Sequence, residues 1–359
     1  MTMQKSEAIV SVADAPAQLE GLLELMRRHD VVVTQEDGVH VGHFPSGQAH
    51  LSASAERVEM RIEAPDMTAL NAIKLELTGS LTYVYGQELN IDWSGGTDVR
   101  TPLPKLCVLT VQSVEQLTPH MRRITFSGDN LIRFAENSNL HMRLAFPDGA
   151  VDLPLPMVNG RGRVVWPEGA KMPVLRKYTV RKVDLESGTV AVDFVLHDDA
   201  GPGSRFAAAA RPGDVIAMIG PGGLTAAAAD WLLLAGDETA LPAIGRILEG
   251  LPPTARGVAF IEVAGPSEEQ PLVRPDGFDV KWLHRNGAAS GTTALLIEAI
   301  RAADFPAEGS VFVWAAAEFE AFRSIRTHLR KERGLSADRQ LVVAYWRKGS
   351  TEDEMGKAH

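Results

Sequence analysis

Cysteine is almost absent from this chain. Cys107 is the single one among 359 residues, so no internal disulfide can form, which suits a reducing cytoplasm. It lies in KLCVLTV and reads as a strand residue rather than a nucleophile, since nothing near it in sequence would stabilise a thiolate. Long apolar runs are also missing. None approaches the roughly 20 residues that span a bilayer, so the 45% hydrophobic content describes a soluble globular protein with no membrane insertion. The start, MTMQKSEAIV, lacks the basic end, apolar core and small-residue cleavage site of a secretory signal. Clustered basic charge is scarce, and the net charge of −10 excludes a general nucleic-acid binder. No Ser-His-Asp set, no GxGxxG and no metal-ligand spacing is present. His40, His43 and His50 come nearest to a metal set, but His40 and His43 fall on opposite faces of a regular strand and no thiol or carboxylate completes them.

What remains divides into three textures. Residues 1–95 read as a small α+β domain. It has a strand near AIVSVA and a helix over PAQLEGLLELMRRH with Leu19, Leu22, Leu23 and Met26 on one face. A hairpin turning at Asp37-Gly38, a further strand pair and a closing helix over TALNAIKLELTGSLTYVYG follow. A Gly- and Pro-rich linker, SGGTDVRTPLP, leads into residues 103–228, where short strands separated by turns have the texture of an antiparallel β-barrel. From 229 to 350, apolar strands (WLLLAG, GVAFIEV, VKWLHR, SVFVWAA, LVVAYW) alternate with helices such as LPAIGRILEGL and EFEAFRSIRTHLRKERG, which predicts a parallel, doubly wound α/β domain.

Four stretches carry chemistry. In RKYTVR, period-two alternation puts the Arg176 guanidinium, matched to phosphate, beside the flat Tyr178 ring, with Thr179 on the other face. HDDAGPGSRFA places Gly201, Gly203 and Ser204 before a short helix, where amides and the helix dipole favour a pyrophosphate. LLLAGDETALPAIGRIL is a strand, a tight turn and a helix, the crevice where a doubly wound sheet binds a nucleotide, with Asp237, Glu238 and Thr239 at the turn. VFVWAAAEFEAF repeats that arrangement with Glu318. Each also has a plain reading: a decorated barrel strand, a Gly-Pro turn, or simple N-capping.

Together, RKYTVR, HDDAGPGSRFA, GDETALPAIGRILEGLP, WAAAEFEAFRSIRTHLRKERG and YWRKG resemble the siderophore-interacting protein family of the ferredoxin-reductase superfamily, over about residues 105–350. Residues 1–95 resemble a small domain of unknown function found beside it. The resemblance implies an FAD-binding barrel ahead of an NAD(P)H-binding α/β domain, in a cytoplasmic enzyme that reduces ferric siderophores or other ferric chelates. It implies that Arg176, Tyr178 and Thr179 hold the flavin phosphate and ring, and that Gly201, Gly203 and Ser204 hold the pyrophosphate, with His197 near the adenine. Asp237, Glu238, Thr239 and Glu318 would border the nicotinamide, and Trp346 would close over the flavin. Arg347 and Lys348, helped by Lys177 and Arg181, are the candidate basic patch for an anionic chelate.

The chain departs from the family's pattern at several positions. Gly203 stands for the usual small residue of the loop, Phe206 for a common tryptophan and Gly222 for a common basic residue. Ala317 replaces a glycine, an added methyl expected at the nicotinamide edge. The donor stays open between NADH, through a Glu262 ribose contact, and NADPH, through Arg323 or Arg326. A flavin reductase or electron-transfer reductase with a protein acceptor, and a non-catalytic ferric-chelate binding protein, are the competing readings. Nothing in the sequence assigns an oligomeric state.

Overall fold

The amphipathic stretch near the start forms helix α1 (Ala15–Arg28), and Leu19, Leu22, Leu23 and Met26 are all buried on its inner face. The structure is a computed structural model that describes residues 3–29, 31–95, 99–136, 139–147, 153–197, 201–351 and 354. Strands β1 (Gln4–Ser11), β2 (Val32–Glu36), β3 (Val39–Phe44), β4 (Gly47–Ser54) and β5 (Arg57–Ala64) form an antiparallel sheet in the order β1-β5-β4-β3-β2. The β2–β3 turn is Asp37-Gly38, both at positive φ (47° and 79°), as a two-residue hairpin demands. Helix α2 (Met67–Tyr85) starts at Asp66, whose carboxylate accepts the Ala69 amide at 2.8 Å, and stops at Gly86 in the left-handed conformation. Both helices share one core with the sheet, built on residues such as Leu51, Ile62, Leu77 and Leu81.

The chain divides into two compact units, residues 1–106 with 154–172, and residues 107–153 with 173–359. Residues 154–172 interrupt the barrel segment of the sequence yet fold with the first unit. Strand β10 (Met157–Val158) pairs with both β6 (Thr101–Pro102) and β11 (Val164–Val165). The fully buried Lys74 of α2 donates to the Gly160 carbonyl at 3.0 Å, and burial holds its pKa below the usual lysine range. Arg163 donates to Glu88 at 3.1 Å and to the Leu89 carbonyl at 2.8 Å.

In the second unit, seven strands make a curled antiparallel, barrel-like sheet in the order β12-β9-β15-β7-β8-β14-β13. They are β7 (Leu106–Thr118), β8 (Met121–Gly128), β9 (His141–Phe146), β12 (Val174–Thr179), β13 (Lys182–Asp184), β14 (Thr189–Val195) and β15 (Val215–Gly222), with helix α3 (Pro202–Ala209) after β14. Cys107 is buried on β7, where burial pushes its thiol pKa up. The α/β part follows, with five parallel strands ordered β18-β17-β16-β19-β20. These are β16 (Trp231–Asp237), β17 (Gly257–Val263), β18 (Phe278–His284), β19 (Val311–Glu318) and β20 (Gln340–Trp346), with helices α4 (Leu241–Gly250), α5 (Leu295–Ala302) and α6 (Phe319–Thr327). The long helix expected through RKERG instead widens after α6 into a π-helical turn over His328–Glu332. There the Arg333 side chain donates to the His328 ring at 3.3 Å, and the Arg333 amide donates to the His328 carbonyl at 3.0 Å.

Candidate flavin and nucleotide site

β12 pairs antiparallel with β9, with Arg176 opposite Leu144, Tyr178 opposite Met142 and Thr179 opposite His141. Tyr178 is half-buried in an aromatic cluster, 4.6 Å from the Phe194 ring and 5.9 Å from Phe146 between centroids; Phe206 joins the same cluster. Thr179 is buried, Lys177 is exposed, and Arg176 donates to the Leu175 carbonyl at 2.7 Å. Gly201 is the N-cap residue of helix α3. A Cβ on Gly203 would fall 1.8 Å from the Tyr178 hydroxyl oxygen, so only glycine lets the helix start meet the tyrosine. The Ser204 hydroxyl, buried, accepts the His197 amide at 3.3 Å, which ties the helix start to the end of β14. A guanidinium, an aromatic ring and a helix start therefore sit on neighbouring elements, a donor set that fits a flavin dinucleotide.

The second half of the site lies where β16, β19 and β20 end. Asp237 is buried and joins all three. It accepts the Thr239 amide (2.9 Å) and hydroxyl (2.5 Å), the Glu318 amide (3.1 Å) and the Trp346 indole N–H (2.8 Å). Burial and the nearby Glu238 charge push its pKa up to about 6, against the hydrogen bonds from Thr239 and Trp346. Glu318 caps α6 through the Glu320 amide at 2.5 Å, while its other oxygen accepts the Lys348 amide at 3.1 Å. Gly291, at φ 67°, lies so close that a Cβ there would be 2.8 Å from Glu318 Cγ and 2.9 Å from Trp346 Cη2. The turn after β18 thus packs onto the Trp346 ring. The Ala317 methyl, expected at the nicotinamide edge, is instead buried in the core with Leu233, Ala235 and Ile325.

Two arrangements were not visible in the sequence. Arg285, just after β18, grips Glu238 with both terminal nitrogens at 2.8 Å and lies 3.5 Å from Glu262. His141 Nε2 is 2.5 Å from the Tyr345 hydroxyl, joining the barrel-like sheet to β20. Burial, with the Lys177 and Arg246 charges, lowers the His141 pKa to about 4, so the ring is neutral, and burial pushes the Tyr345 phenol up. No fixed spacing links either set. The only sequence signal was a polar residue at each apolar strand's end.

The basic candidates separate. Arg347 is exposed and stacks over the Phe319 ring at 4.7 Å, and Lys348 is exposed beside it. Arg181, by contrast, is committed to Glu249, at 2.6 and 2.9 Å, and its side chain is only 11% exposed. Gly222 closes β15 opposite His141, with nothing within 4 Å of where a Cβ would point. Among the described residues no group of three or more His, Cys, Asp and Glu side chains is placed to hold a metal ion, and no helix is long and apolar enough to cross a membrane.

Known proteins share this architecture. Residues 110–225 match the siderophore-interacting FAD-binding domain, and residues 229–349 match the siderophore-interacting protein domain. The ferric vibriobactin reductase ViuB of Vibrio cholerae is 35% identical over 242 residues, 66% of this chain and 88% of that protein. The NADPH-dependent ferric-chelate reductase of Escherichia coli is 31% identical over 245 residues, 66% of this chain and 91% of that protein. The crystal structure of a siderophore utilization protein from T. fusca superposes with a TM-score of 0.60 at 39% identity, covering 70% of this chain and 97% of the other. With both halves of the site matched in order and the relatives covered nearly end to end, the chain belongs to the siderophore-interacting protein family.

Proposed function

We propose that the protein is an FAD-dependent oxidoreductase that takes electrons from NAD(P)H and passes them to a ferric siderophore or another ferric chelate, releasing iron in the cytoplasm. The observation that carries this reading is that the Tyr178–Gly203 cradle and the crevice at Asp237, Glu318 and Trp346 belong to one compact unit. Bound FAD would supply the conversion of a two-electron hydride donor into a one-electron donor to Fe(III).

Each residue then has a physical task. Arg176 pairs with a flavin phosphate, Tyr178 and Thr179 position the ring, and the amides of Gly201, Gly203 and Ser204 receive the pyrophosphate, with His197 on the adenine side. Thr239 and the amides at the start of α4 meet the nicotinamide nucleotide, while Asp237 and Glu318 hold the walls that shape its site. Asp237 also fixes the Trp346 ring, which keeps water from the reacting face. Arg347, Lys348 and Lys177 draw in an anionic chelate against the protein's net charge of −10. Arg181 is left out of this patch because Glu249 already neutralises it.

Steady-state formation of Fe(II), trapped by a chromogenic chelator, tests the reading with FAD-loaded protein, NADH or NADPH, and a catecholate ferric siderophore. Fe(II) formed only when protein, FAD and nucleotide are all present supports it. Nucleotide oxidation by a flavin or protein acceptor with no Fe(II) from any chelate would favour a different acceptor. Tight binding of the ferric chelate without nucleotide oxidation would favour a binding protein.

A further inference from the structure

Strand order decides which way a bound dinucleotide must lie. β16 is central in β18-β17-β16-β19-β20, so a pyrophosphate at the β16–α4 turn has β19 and β20 on one side and β17 and β18 on the other. Glu318 and Trp346, which border the nicotinamide in the proposed function, end β19 and β20. The adenosine half must then run over the ends of β17 and β18. Glu238, expected from the sequence at the nicotinamide, is instead gathered with Glu262 and Arg285 at that place, with Arg285 bidentate to Glu238 at 2.8 Å and 3.5 Å from Glu262. Thr293 stands beside Glu262. Among the described residues the buried Arg285 Nε has no hydrogen-bond partner, and such an atom ordinarily finds one.

The charges of this group discriminate between ligands. Two carboxylates around one guanidinium leave it net negative, and the Arg285 fork is already committed, with only 5% of its side chain exposed. Glu262 is the acid near the end of the second strand, where doubly wound folds place the residue that accepts a ribose hydroxyl. A 2'-phosphate would meet both carboxylates and a guanidinium already paired with Glu238. The other cations considered from the sequence, Arg323 and Arg326, lie on α6 after β19, stacked over Phe319 and Phe322 at 6.0 and 5.7 Å. That is the nicotinamide side of β16.

We propose that the electron donor is NADH, selected by the Glu238–Arg285–Glu262 group, with Glu262 accepting the adenosine 2'-hydroxyl and Glu238 withholding Arg285 from a 2'-phosphate. This rests on the donor binding in the crevice assigned above. Burial raises the Glu262 pKa while Thr293 and Arg285 oppose the rise, so a hydroxyl donor there offsets part of the desolvation of its carboxylate.

Calorimetric titration of the FAD-loaded protein with 5'-AMP and with adenosine 2',5'-bisphosphate tests the proposal without relying on turnover. 5'-AMP should bind at least tenfold more tightly. Glu262→Gln should lower that ratio at least tenfold, chiefly by weakening 5'-AMP. Glu238→Gln, whose amide oxygen still accepts from Arg285 but carries no charge, should lower the ratio by strengthening the bisphosphate. A network that only supports the fold would weaken both ligands by the same factor. Equal or tighter binding of the bisphosphate by the parent protein, no binding of either nucleotide, or a ratio unmoved in both variants overturns the proposal. Tenfold discrimination in a protein whose flavin neither NADH nor NADPH reduces would keep the recognition of the adenosine 2'-hydroxyl by this group, but reject NADH as the donor together with the reductase reading.

Discussion

Replacing Gly203 by alanine tests the flavin cradle through one atom. The new Cβ would fall 1.8 Å from the Tyr178 hydroxyl oxygen and 2.7 Å from its Cζ, so either α3 or the ring must move. The ring has little room, with Phe194 at 4.6 Å and Phe146 at 5.9 Å between centroids. Overpacking of this kind costs about 1–3 kcal/mol, equivalent to about five- to 150-fold in affinity if the strain falls on the FAD-competent arrangement. Fluorescence titration of the flavin-free protein with FAD measures that loss, and thermal melting separates it from unfolding. Gly201→Ala serves as the folding control, because its Cβ would meet nothing within 4 Å. Tyr178→Phe removes the 1.8 Å contact and leaves the 2.7 Å one, so Gly203→Ala should cost less in that background than in the parent. Parental FAD affinity in Gly203→Ala, or no coupling between the two substitutions, would refute the cradle.

Three further outcomes are expected. Asp237, with its folded pKa raised to about 6 from 3.8, binds more protons folded than unfolded between those values, so stability should fall as pH rises through that window; Asp237→Asn should flatten the slope in melting profiles from pH 4 to 6.5. Lys74 has the opposite sign. Burial lowers its folded pKa below 10.5, so the unfolded chain binds more protons and stability should fall as pH drops from 10.5 toward the folded value; Lys74→Met should remove that dependence in denaturant titrations. The double change Arg347→Ala with Lys348→Ala should slow reduction of an anionic ferric chelate at low salt while leaving flavin reduction intact. Gly222→Arg, which has room for a Cβ, should speed chelate reduction and steepen its salt dependence. Identical chelate rates in all three proteins would remove the basic patch from the account.

The fold was legible wherever its cause is local. Leu19, Leu22, Leu23 and Met26 mark one helical face by spacing alone, Asp37-Gly38 marks its own turn, and five apolar runs mark the parallel strands. RKYTVR and the GPGS loop stand out as residue patterns, but the reason for Gly203 does not, because it depends on Tyr178 being brought by β12 to the start of α3. Long-range pairings were invisible. Lys74 reads as an ordinary helix lysine in LNAIKLEL until the chain returns with Gly160, and His141 meets Tyr345 across 204 residues of sequence. Ala317 misled for a related reason: strand alternation turns its methyl into the core, which a motif comparison does not register.

The central claim is that electrons pass from a nicotinamide donor through protein-held FAD to ferric iron. Anaerobic stopped-flow spectroscopy tests it most directly, by mixing the FAD-loaded protein first with a stoichiometric amount of NADH and then with a ferric siderophore. The account predicts that the yellow flavin absorbance is lost in the first mixing and returns in the second as Fe(II) appears, with two Fe(II) per flavin. Loss of colour that the ferric siderophore cannot restore, or no loss with either NADH or NADPH, would contradict it.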